Sequence, residues 1–124
     1  MSPAKEMALL MKRNSTHVLD NAHGQPAKAV TVRLEKSESD GRWTFVHSAR
    51  TDDDGRCNQL LPESEALSPG LYRICFDTAS YHHAQKVEGL YPVVEITFQV
   101  RQGETQFHIP LLLSPNGYTT YRGS

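Results

Sequence analysis

The stretch FHIPLLLSPNGYTTYRGS, residues 107–124, closes the chain and decides its fold class. Its first seven residues are apolar except for His108, and the SPNG at 114–117 is a turn sequence, because proline fixes one φ and Asn-Gly accepts turn geometry at little cost. From residue 118 the chain carries tyrosines, threonines and an arginine, which suit a strand. The stretch predicts a β-hairpin whose second strand runs to the C-terminus. By composition alone, that strand is a plain edge strand that Arg122 keeps soluble.

Alternation with a period of two recurs upstream of the hairpin. Residues 29–36 place Val30, Val32 and Leu34 on one face and polar residues on the other, which is the pattern of a half-buried strand. Similar patterns predict further strands at 15–20, 43–49, 58–61, 71–77 and 93–100.

Residues 78–87 form the only window with helical character, with Thr78 and Ser80 as candidate capping residues and Gly89 as the terminator. The sum is about seven or eight short strands and one short helix. This predicts an all-β, two-sheet sandwich. The order of the strands stays open, because a one-residue error in register exchanges the two faces of a strand.

Length and charge exclude several classes of protein. A chain of 124 residues is one domain, and a net charge of -1 from 13 basic and 14 acidic residues leaves no basic surface for nucleic acid or an anionic membrane. Residues 1–14 are expected to be a mobile leader and 15–124 the domain. The short apolar run in that leader precedes its basic residues, which is the wrong order for a secretory signal. Two cysteines, Cys57 and Cys75, do not make a disulfide framework, so we expect reduced thiols and a cytoplasmic protein.

Motifs for phosphate, dinucleotide or serine-nucleophile chemistry do not occur in the sequence. The three aspartates at 52–54 precede a glycine two positions too early for an EF-hand loop, so they indicate a solvated turn. Adjacent His82 and His83 point about 100° apart on a helix and are expected at the surface. His23 and His47 are expected to face solvent. A metal site would require distant histidines to meet.

His17 and His108 differ from the other histidines because each interrupts a run otherwise committed to a sheet. A hydrophobic or threonine side chain would be less costly there. From the residues alone, the simplest interpretation of both is a half-buried histidine satisfied by a backbone carbonyl.

Four separated motifs resemble those of the 5-hydroxyisourate hydrolases, a transthyretin-related family. They are STHVLD at 15–20, DGR at 54–56, FHIPLLLS at 107–114 and YRGS at 121–124, and they agree with the family in order and spacing. The resemblance spans about residues 14–124. Transthyretin, the hormone carrier of the same fold, lacks the histidine-arginine-histidine set and the terminal tetrapeptide, so the resemblance favours the enzyme.

The resemblance implies a transthyretin-like (prealbumin-like) sandwich that hydrolyses 5-hydroxyisourate to 2-oxo-4-hydroxy-4-carboxy-5-ureidoimidazoline in urate degradation. It implies His17, Arg56, His108 and Ser124 as catalytic residues, with His17, Arg56 and Tyr121 binding substrate, and neither a metal nor a cofactor. It also implies a homotetramer, a dimer of dimers whose active sites line a channel between subunits. The alternatives are a non-catalytic transthyretin-like carrier of a small molecule and an Ig-like scaffold module.

The chemistry implied by the resemblance assigns a role to each residue. Ring opening needs a base for water, donors for the oxyanion and an acid for the leaving nitrogen. We hypothesise that His108, alone or with His17, deprotonates water and that Arg56 binds the polar ring through its planar fork. Tyr121 would hold the substrate, and the hydroxyl and carboxylate of Ser124 would complete the lining. The division of labour between the two histidines stays open.

Overall fold

The computed structural model describes residues 14–124, which form nine strands and one helix. In chain order the elements are β1 Ser15–Asp20, β2 Gln25–Pro26, β3 Thr31–Ser37, β4 Trp43–Arg50, β5 Arg56–Cys57, β6 Gly70–Phe76, α1 Thr78–Ala84, β7 Val94–Val100, β8 His108–Ser114 and β9 Gly117–Thr120. Strands thus dominate the described part of the chain. The all-β prediction with one short helix is confirmed.

The strands form two sheets. One has the order β2-β1-β8-β9, with β5 also paired to β1, and the other has the order β4-β3-β6-β7. All pairs are antiparallel except β1 with β8, which run parallel and place Ser15 opposite His108. The first strand of the domain therefore lies beside one of the last.

The alternating residues of β3 and β6 fill the space between the sheets. Val30, Val32 and Leu34 are at most 1% exposed, as the alternation predicted. They share one apolar cluster with Tyr72, Ile74 and Phe76 of β6 and with Val18, Leu111 and Leu113 of the other sheet. Burial of each such side chain contributes about 1.5–3 kcal/mol. The core therefore holds the two sheets in a fixed relation and gives the site a rigid base.

The helix differs from the prediction at both ends. It ends at Ala84 rather than at 87, and its N-cap is Asp77, whose carboxylate accepts hydrogen bonds from the backbone N and the hydroxyl of Ser80 at 3.1 and 2.7 Å. The C-cap is Gln85. Neither Thr78 nor Ser80 caps the helix, because Asp77 offers a carboxylate to the free N–H groups of the first turn.

Gly89 packs against a histidine instead of ending the helix. A Cβ at this position would lie 2.4 Å from Cδ2 of His82, so only glycine allows the chain to cross the imidazole. His82 is 5% exposed as a result, and the prediction that it lies at the surface is wrong. Its neighbour His83 is exposed, as predicted.

Residues 58–61 do not form the expected strand. Leu60 and Leu61 enter the core at 0% and 5% exposure, and the backbone N of Leu60 donates to the carbonyl of Asn14 at 2.7 Å. The strand lies two residues earlier, where Arg56 and Cys57 pair with β1. Core burial of both leucines is incompatible with the alternation of a strand.

Asn14 falls in the segment expected to be a leader, yet it is bonded to the domain. Its side-chain carbonyl accepts a hydrogen bond from the backbone N of Phe107 at 3.1 Å, in addition to the bond from Leu60. The rest of the expected leader lies outside the described residues. Within residues 14–124, no helix is long and apolar enough to cross a membrane.

A buried carboxylate ties the helix to the first sheet. Asp20, at the end of β1, accepts hydrogen bonds from the Tyr81 hydroxyl at 2.6 Å and from Nδ1 of His23 at 2.8 Å. Burial alone would raise the pKa of Asp20, but these bonds hold that pKa below its usual value. Burial and the carboxylate together raise the pKa of Tyr81 to about 12.

Two other histidines were expected to face solvent. His23 is exposed as predicted, whereas His47 on β4 is half-buried.

Candidate active site

Three of the predicted site residues meet on one face of the first sheet. β1 is the central strand of the group, with Arg56 of β5 opposite His17 and His108 of β8 opposite Ser15. Because alternate residues of a strand share a face, Ser15 and His17 point to the same side, together with their cross-strand partners. Thr16 and Val18, between and beyond them, are fully buried on the opposite side. The alternation of side chains along β1 therefore brings Ser15 and His17 to the same face as Arg56 and His108.

A pocket of about 480 Å³ lies on this face. It brings together three of the four predicted catalytic residues, Arg56, His108 and Ser124. Its full lining is Ser15, Arg56, Asn58, Gln106, Phe107, His108, Arg122, Gly123 and Ser124. Except for Phe107 and Gly123, these are polar or charged residues, so the pocket suits a small polar molecule.

His17 lies beside the pocket without lining it. Its Nε2 is 2.9 Å from the backbone carbonyl of Asp54. A carbonyl oxygen only accepts hydrogen bonds, so Nε2 carries a hydrogen and donates it. His17 is also close enough to lower the pKa of His108 through its charge. It thus supports the loop that carries Arg56 while remaining an electrostatic neighbour of His108.

The aspartate-rich turn holds Arg56 in position. The carboxylate of Asp52 accepts hydrogen bonds from the backbone N of Asp54 and of Arg56, each at 2.9 Å. Gly55 has φ +75°, and a Cβ there would lie 2.4 Å from the carbonyl oxygen of Val18. Its own carbonyl accepts the backbone N–H of Val18 at 2.7 Å. The glycine therefore allows the turn to dock on β1, which sets Arg56 opposite His17.

His108 is half-buried at the start of β8. Burial lowers the pKa of His108 below its usual value, and the charges of Arg56 and His17 lower it further, against a smaller opposing contribution from Ser15. The imidazole is therefore neutral near pH 7. A neutral imidazole has one nitrogen free to accept a proton, which is the requirement for a general base.

The last four residues, 121–124, form a tail that closes the pocket without continuing the strand. The hairpin forms as predicted, with Ser114 opposite Gly117, but β9 ends at Thr120. The backbone N of Gly123 then donates to the carbonyl of His108 at 2.8 Å. A Cβ on Gly123 would lie 2.3 Å from Cδ2 of His108, so glycine is required where the tail crosses the ring.

An ion pair holds the tail from its other side. Arg122 Nη2 lies 2.7 Å from a carboxylate oxygen of Glu104, in the loop between β7 and β8. The other carboxylate oxygen of Glu104 accepts the backbone N of Arg101 at 2.8 Å. The tail is thus fastened at two consecutive residues, and Ser124 beyond them reaches the pocket.

Tyr121 is separated from the polar pocket. It lines a second pocket of about 330 Å³ with Phe98, Ile109 and Thr120. This pocket is mainly apolar and lies between β7 and the β8–β9 hairpin. The two pockets share Gln106, Phe107, His108 and Arg122. Tyr121 is therefore adjacent to the predicted site and 55% exposed, but it is not part of the polar pocket.

Sequence reasoning missed several residues that line the polar pocket. Asn58 is two positions after Arg56, so the period of a strand could have placed it on the same face. Arg122 lies inside the terminal motif and was read only as an edge residue. Ser15 lies in the motif at 15–20, but its contact with His108 spans 93 residues and depends on the parallel pairing, so the local pattern could not reveal it. Among residues 14–124, no three His, Cys, Asp or Glu side chains gather as a metal site would require.

A model of the HIUase/Transthyretin family matches residues 14–123. The chain belongs to the HIUase/Transthyretin family. It is 44% identical over 111 residues to a mouse protein named 5-hydroxyisourate hydrolase, covering 89% of this chain and 93% of that protein. It is 42% identical over 123 residues to the 5-hydroxyisourate hydrolase of Salmonella dublin, covering 98% of this chain and 89% of that protein.

Solved structures of the HIUase/Transthyretin family include both carriers and enzymes with this fold. Transthyretin from Sparus aurata matches with a TM-score of 0.83 and 31% identity, over 90% of this chain and 96% of that one. The 5-hydroxyisourate hydrolase of Klebsiella pneumoniae matches with a TM-score of 0.78 and 32% identity, over 92% of this chain and 100% of that one. The transthyretin-like fold is confirmed. Because carrier and enzyme share it, the residues of the site distinguish the two functions, not the backbone.

Proposed function

We propose that this protein hydrolyses 5-hydroxyisourate to 2-oxo-4-hydroxy-4-carboxy-5-ureidoimidazoline in the degradation of urate. The observation that carries the proposal is the meeting of Arg56, His108 and Ser124 in one polar pocket, where burial and the charge of Arg56 lower the pKa of His108. Relatives covering most of the chain are named for this activity. A carrier would need neither a proton acceptor nor a guanidinium at this place.

In the proposed reaction, His108 takes a proton from a water molecule as the water oxygen attacks a ring carbonyl. The carbon–nitrogen bond of the ring then breaks, and the imidazolium of His108 returns the proton to the leaving nitrogen. Arg56 remains protonated throughout and binds the polar ring and the developing oxyanion. The chemistry draws its base, acid and donors from side chains and requires neither metal nor cofactor.

The two histidines have different surroundings, which supports different roles. His108 lines the pocket, whereas Nε2 of His17 is already bonded to the carbonyl of Asp54. We therefore assign the base to His108. His17 holds the turn that presents Arg56, and we propose that it supports the substrate at the edge of the pocket.

Ser124 and Tyr121 line different pockets, so their proposed contacts with the substrate differ. Ser124 lines the main pocket, and its proposed role is to bond polar groups of the substrate there through its hydroxyl and terminal carboxylate. Tyr121 could reach the substrate only where the two pockets meet, along the four residues that line both of them. Its proposed role is to hold the part of the ligand that extends past His108.

A coupled assay tests the proposed activity. Urate oxidase generates 5-hydroxyisourate from urate, and its decay is followed by absorbance with and without this protein. We expect clear acceleration over the spontaneous decay. We also expect Arg56→Lys to lose most of it, because lysine lacks the bidentate fork. Arg42→Lys, in an exposed pair with Asp40, is the matched control and should retain full activity. Ligand binding without acceleration would instead identify a carrier.

The carrier alternative has one specific observation in its favour. The chain is also 31% identical, with a TM-score of 0.83, to sea bream transthyretin in a structure described as a complex with thyroxine. A carrier would bind a small aromatic molecule without turnover. The polar lining of the main pocket favours the hydrolase.

We further propose a homotetramer, a dimer of dimers with its sites along a channel between subunits. β7 and β9 are edge strands of the two sheets, and edge strands offer unpaired backbone groups to a second chain. Exposed apolar side chains lie on β9 and just before β7: they are Tyr118, Leu90, Tyr91 and Val93, which are 41%, 64%, 40% and 46% exposed. The rings of Tyr91 and Tyr118 pack edge to face at 5.3 Å. Contiguous exposed apolar side chains of this kind are typical of protein interfaces.

Sedimentation of the protein at micromolar concentration tests the assembly. We expect a tetramer, and a single monomeric species would contradict the proposal. Leu90→Asp should weaken association, because it places a charge in the interface, whereas Glu88→Asp nearby should not.

The free thiols of Cys57 and Cys75 are compatible with a reducing compartment, and we propose that the protein is located in the cytoplasm. Cell fractionation would test this location.

A further inference from the structure

Ser15 makes the most direct contact with the ring of His108. Its Oγ lies 2.8 Å from Nδ1 of His108, and the residue is only 6% exposed. The backbone holds it there, because Ser15 lies opposite His108 in the parallel pair and donates its N–H to the carbonyl of Phe107 at 3.0 Å. The hydroxyl and the ring are therefore held in register by the sheet.

The ring of His108 is confined on another edge as well. Gly123 passes so close to Cδ2 that even a methyl group would not fit between them. With Ser15 at Nδ1 and Gly123 at Cδ2, the imidazole has little freedom to turn. The nitrogen that faces Ser15 is thus fixed, and only the position of the ring hydrogen remains to be decided.

A neutral imidazole carries one hydrogen, and the partner of one nitrogen determines which nitrogen holds it. A serine hydroxyl can donate to Nδ1 or accept from it. If it donates, Nε2 carries the hydrogen and cannot accept a proton. If it accepts, the hydrogen lies on Nδ1 and Nε2 has a free lone pair. A general base at this position requires the second arrangement.

We propose that Ser15 is a positioning residue that sets the tautomer of His108, its Oγ accepting the Nδ1 hydrogen so that Nε2 is the atom that deprotonates water. This assignment rests on the proposed hydrolysis. As water attacks, its proton moves to Nε2, and the same proton later passes to the leaving ring nitrogen. The Nδ1 hydrogen stays bonded to Ser15 throughout.

The tautomer can be measured without substrate. Protein labelled with ¹⁵N at histidine gives ring correlations by NMR, and the signals of His108 are those lost in His108→Asn. Above the titration of His108, we expect a hydrogen on Nδ1 and a bare Nε2 in the wild type. In Ser15→Ala the hydrogen should move to Nε2. A hydrogen on Nε2 in the wild-type protein would overturn the proposal, whether or not the protein is a hydrolase.

Kinetics then test the consequence for catalysis. We expect Ser15→Ala to lower kcat roughly ten- to a hundredfold with little change in KM, because supporting contacts of this kind orient a reactive group without touching substrate. Ser15→Thr, which keeps a hydroxyl, should restore both the tautomer and most of the rate. Folded Ser15→Ala with the wild-type rate would overturn the role in catalysis.

Thr16→Val is the matched control for loss of a buried hydroxyl. Thr16 lies next to Ser15, is fully buried, and donates its hydroxyl to the carbonyl of Ile109 at 2.6 Å. Its removal should lower the melting temperature while leaving the tautomer of His108 and kcat unchanged. If Thr16→Val lost as much kcat as Ser15→Ala, the effect of Ser15 would be structural and the proposal would be wrong.

Discussion

Replacing His108 with asparagine lowers kcat for 5-hydroxyisourate about 10²- to 10⁴-fold, the range expected when a general base is removed. Asparagine retains a polar group near Ser15 and leaves the crossing of Gly123 undisturbed, so the fold should be kept. The rate is measured at saturating substrate with the urate oxidase assay. His83→Asn, which alters an exposed histidine on α1, is the control and should retain the wild-type kcat.

The pH dependence of the same reaction reports the base directly. Burial, Arg56 and His17 lower the pKa of His108 below its usual value of 6.5, so the active neutral form persists to lower pH than for a free imidazole. Activity should therefore be full near pH 7 and fall as the pH drops through a midpoint below 6.5. His108→Asn should remove this acid limb. An unchanged rate in His108→Asn would reject the assignment of the base.

The longer β-strands could be predicted because their local patterns agree with their final environment. Val30, Val32 and Leu34 alternate with polar residues, and the side of the strand that they share is the side that the core covers. The hairpin was equally local, since a proline and an Asn-Gly pair lie between two runs that favour strands. In both places the information needed lies within about ten residues.

The features that the sequence did not reveal depend on contacts between distant parts of the chain. The bond between Ser15 and His108 requires the parallel pairing of β1 and β8, and periodicity says nothing about which strands are neighbours. His82 appears polar and helical in sequence, but Gly89 folds back over its ring and buries it. In each case a segment distant in sequence determines the environment of the side chain. The local pattern alone predicts a different environment.

The terminal motif shows the same limit within the site itself. Tyr121 and Arg122 continue the strand pattern of β9, yet the strand stops at Thr120 because the chain must turn to bring Gly123 over His108. The resemblance points to the motif as functional, and the geometry supplies a physical reason for its last three residues. Arg122 fastens the tail, Gly123 permits the crossing, and Ser124 reaches the pocket.

Removing residues 121–124 should abolish most of the activity while leaving the domain folded. The deletion takes away Ser124 from the pocket and the Gly123 bond that covers the His108 carbonyl. Loss of donors and of the cover over the base should lower kcat/KM at least about 10²-fold. The deleted residues follow β9, so the melting temperature should change little. Full activity in the truncated protein would contradict this account of the site, although the fold would stand.

Gly123→Ala tests whether the position of the tail matters, because it adds one methyl group and removes no residue. Gly123→Ala places a Cβ 2.3 Å from Cδ2 of His108, so either the ring or the tail must move. Displacement by about 1 Å near reacting groups can cost about 10²-fold in rate. Gly117→Ala is the matched control, because its Cβ would meet only the Ser114 hydroxyl at an ordinary 3.8 Å. If Gly123→Ala alone loses rate, the close packing of the tail against the imidazole is required for catalysis. If both variants are fully active, the close crossing has no catalytic role, and any effect of the deletion belongs to the other residues removed, Tyr121, Arg122 and Ser124.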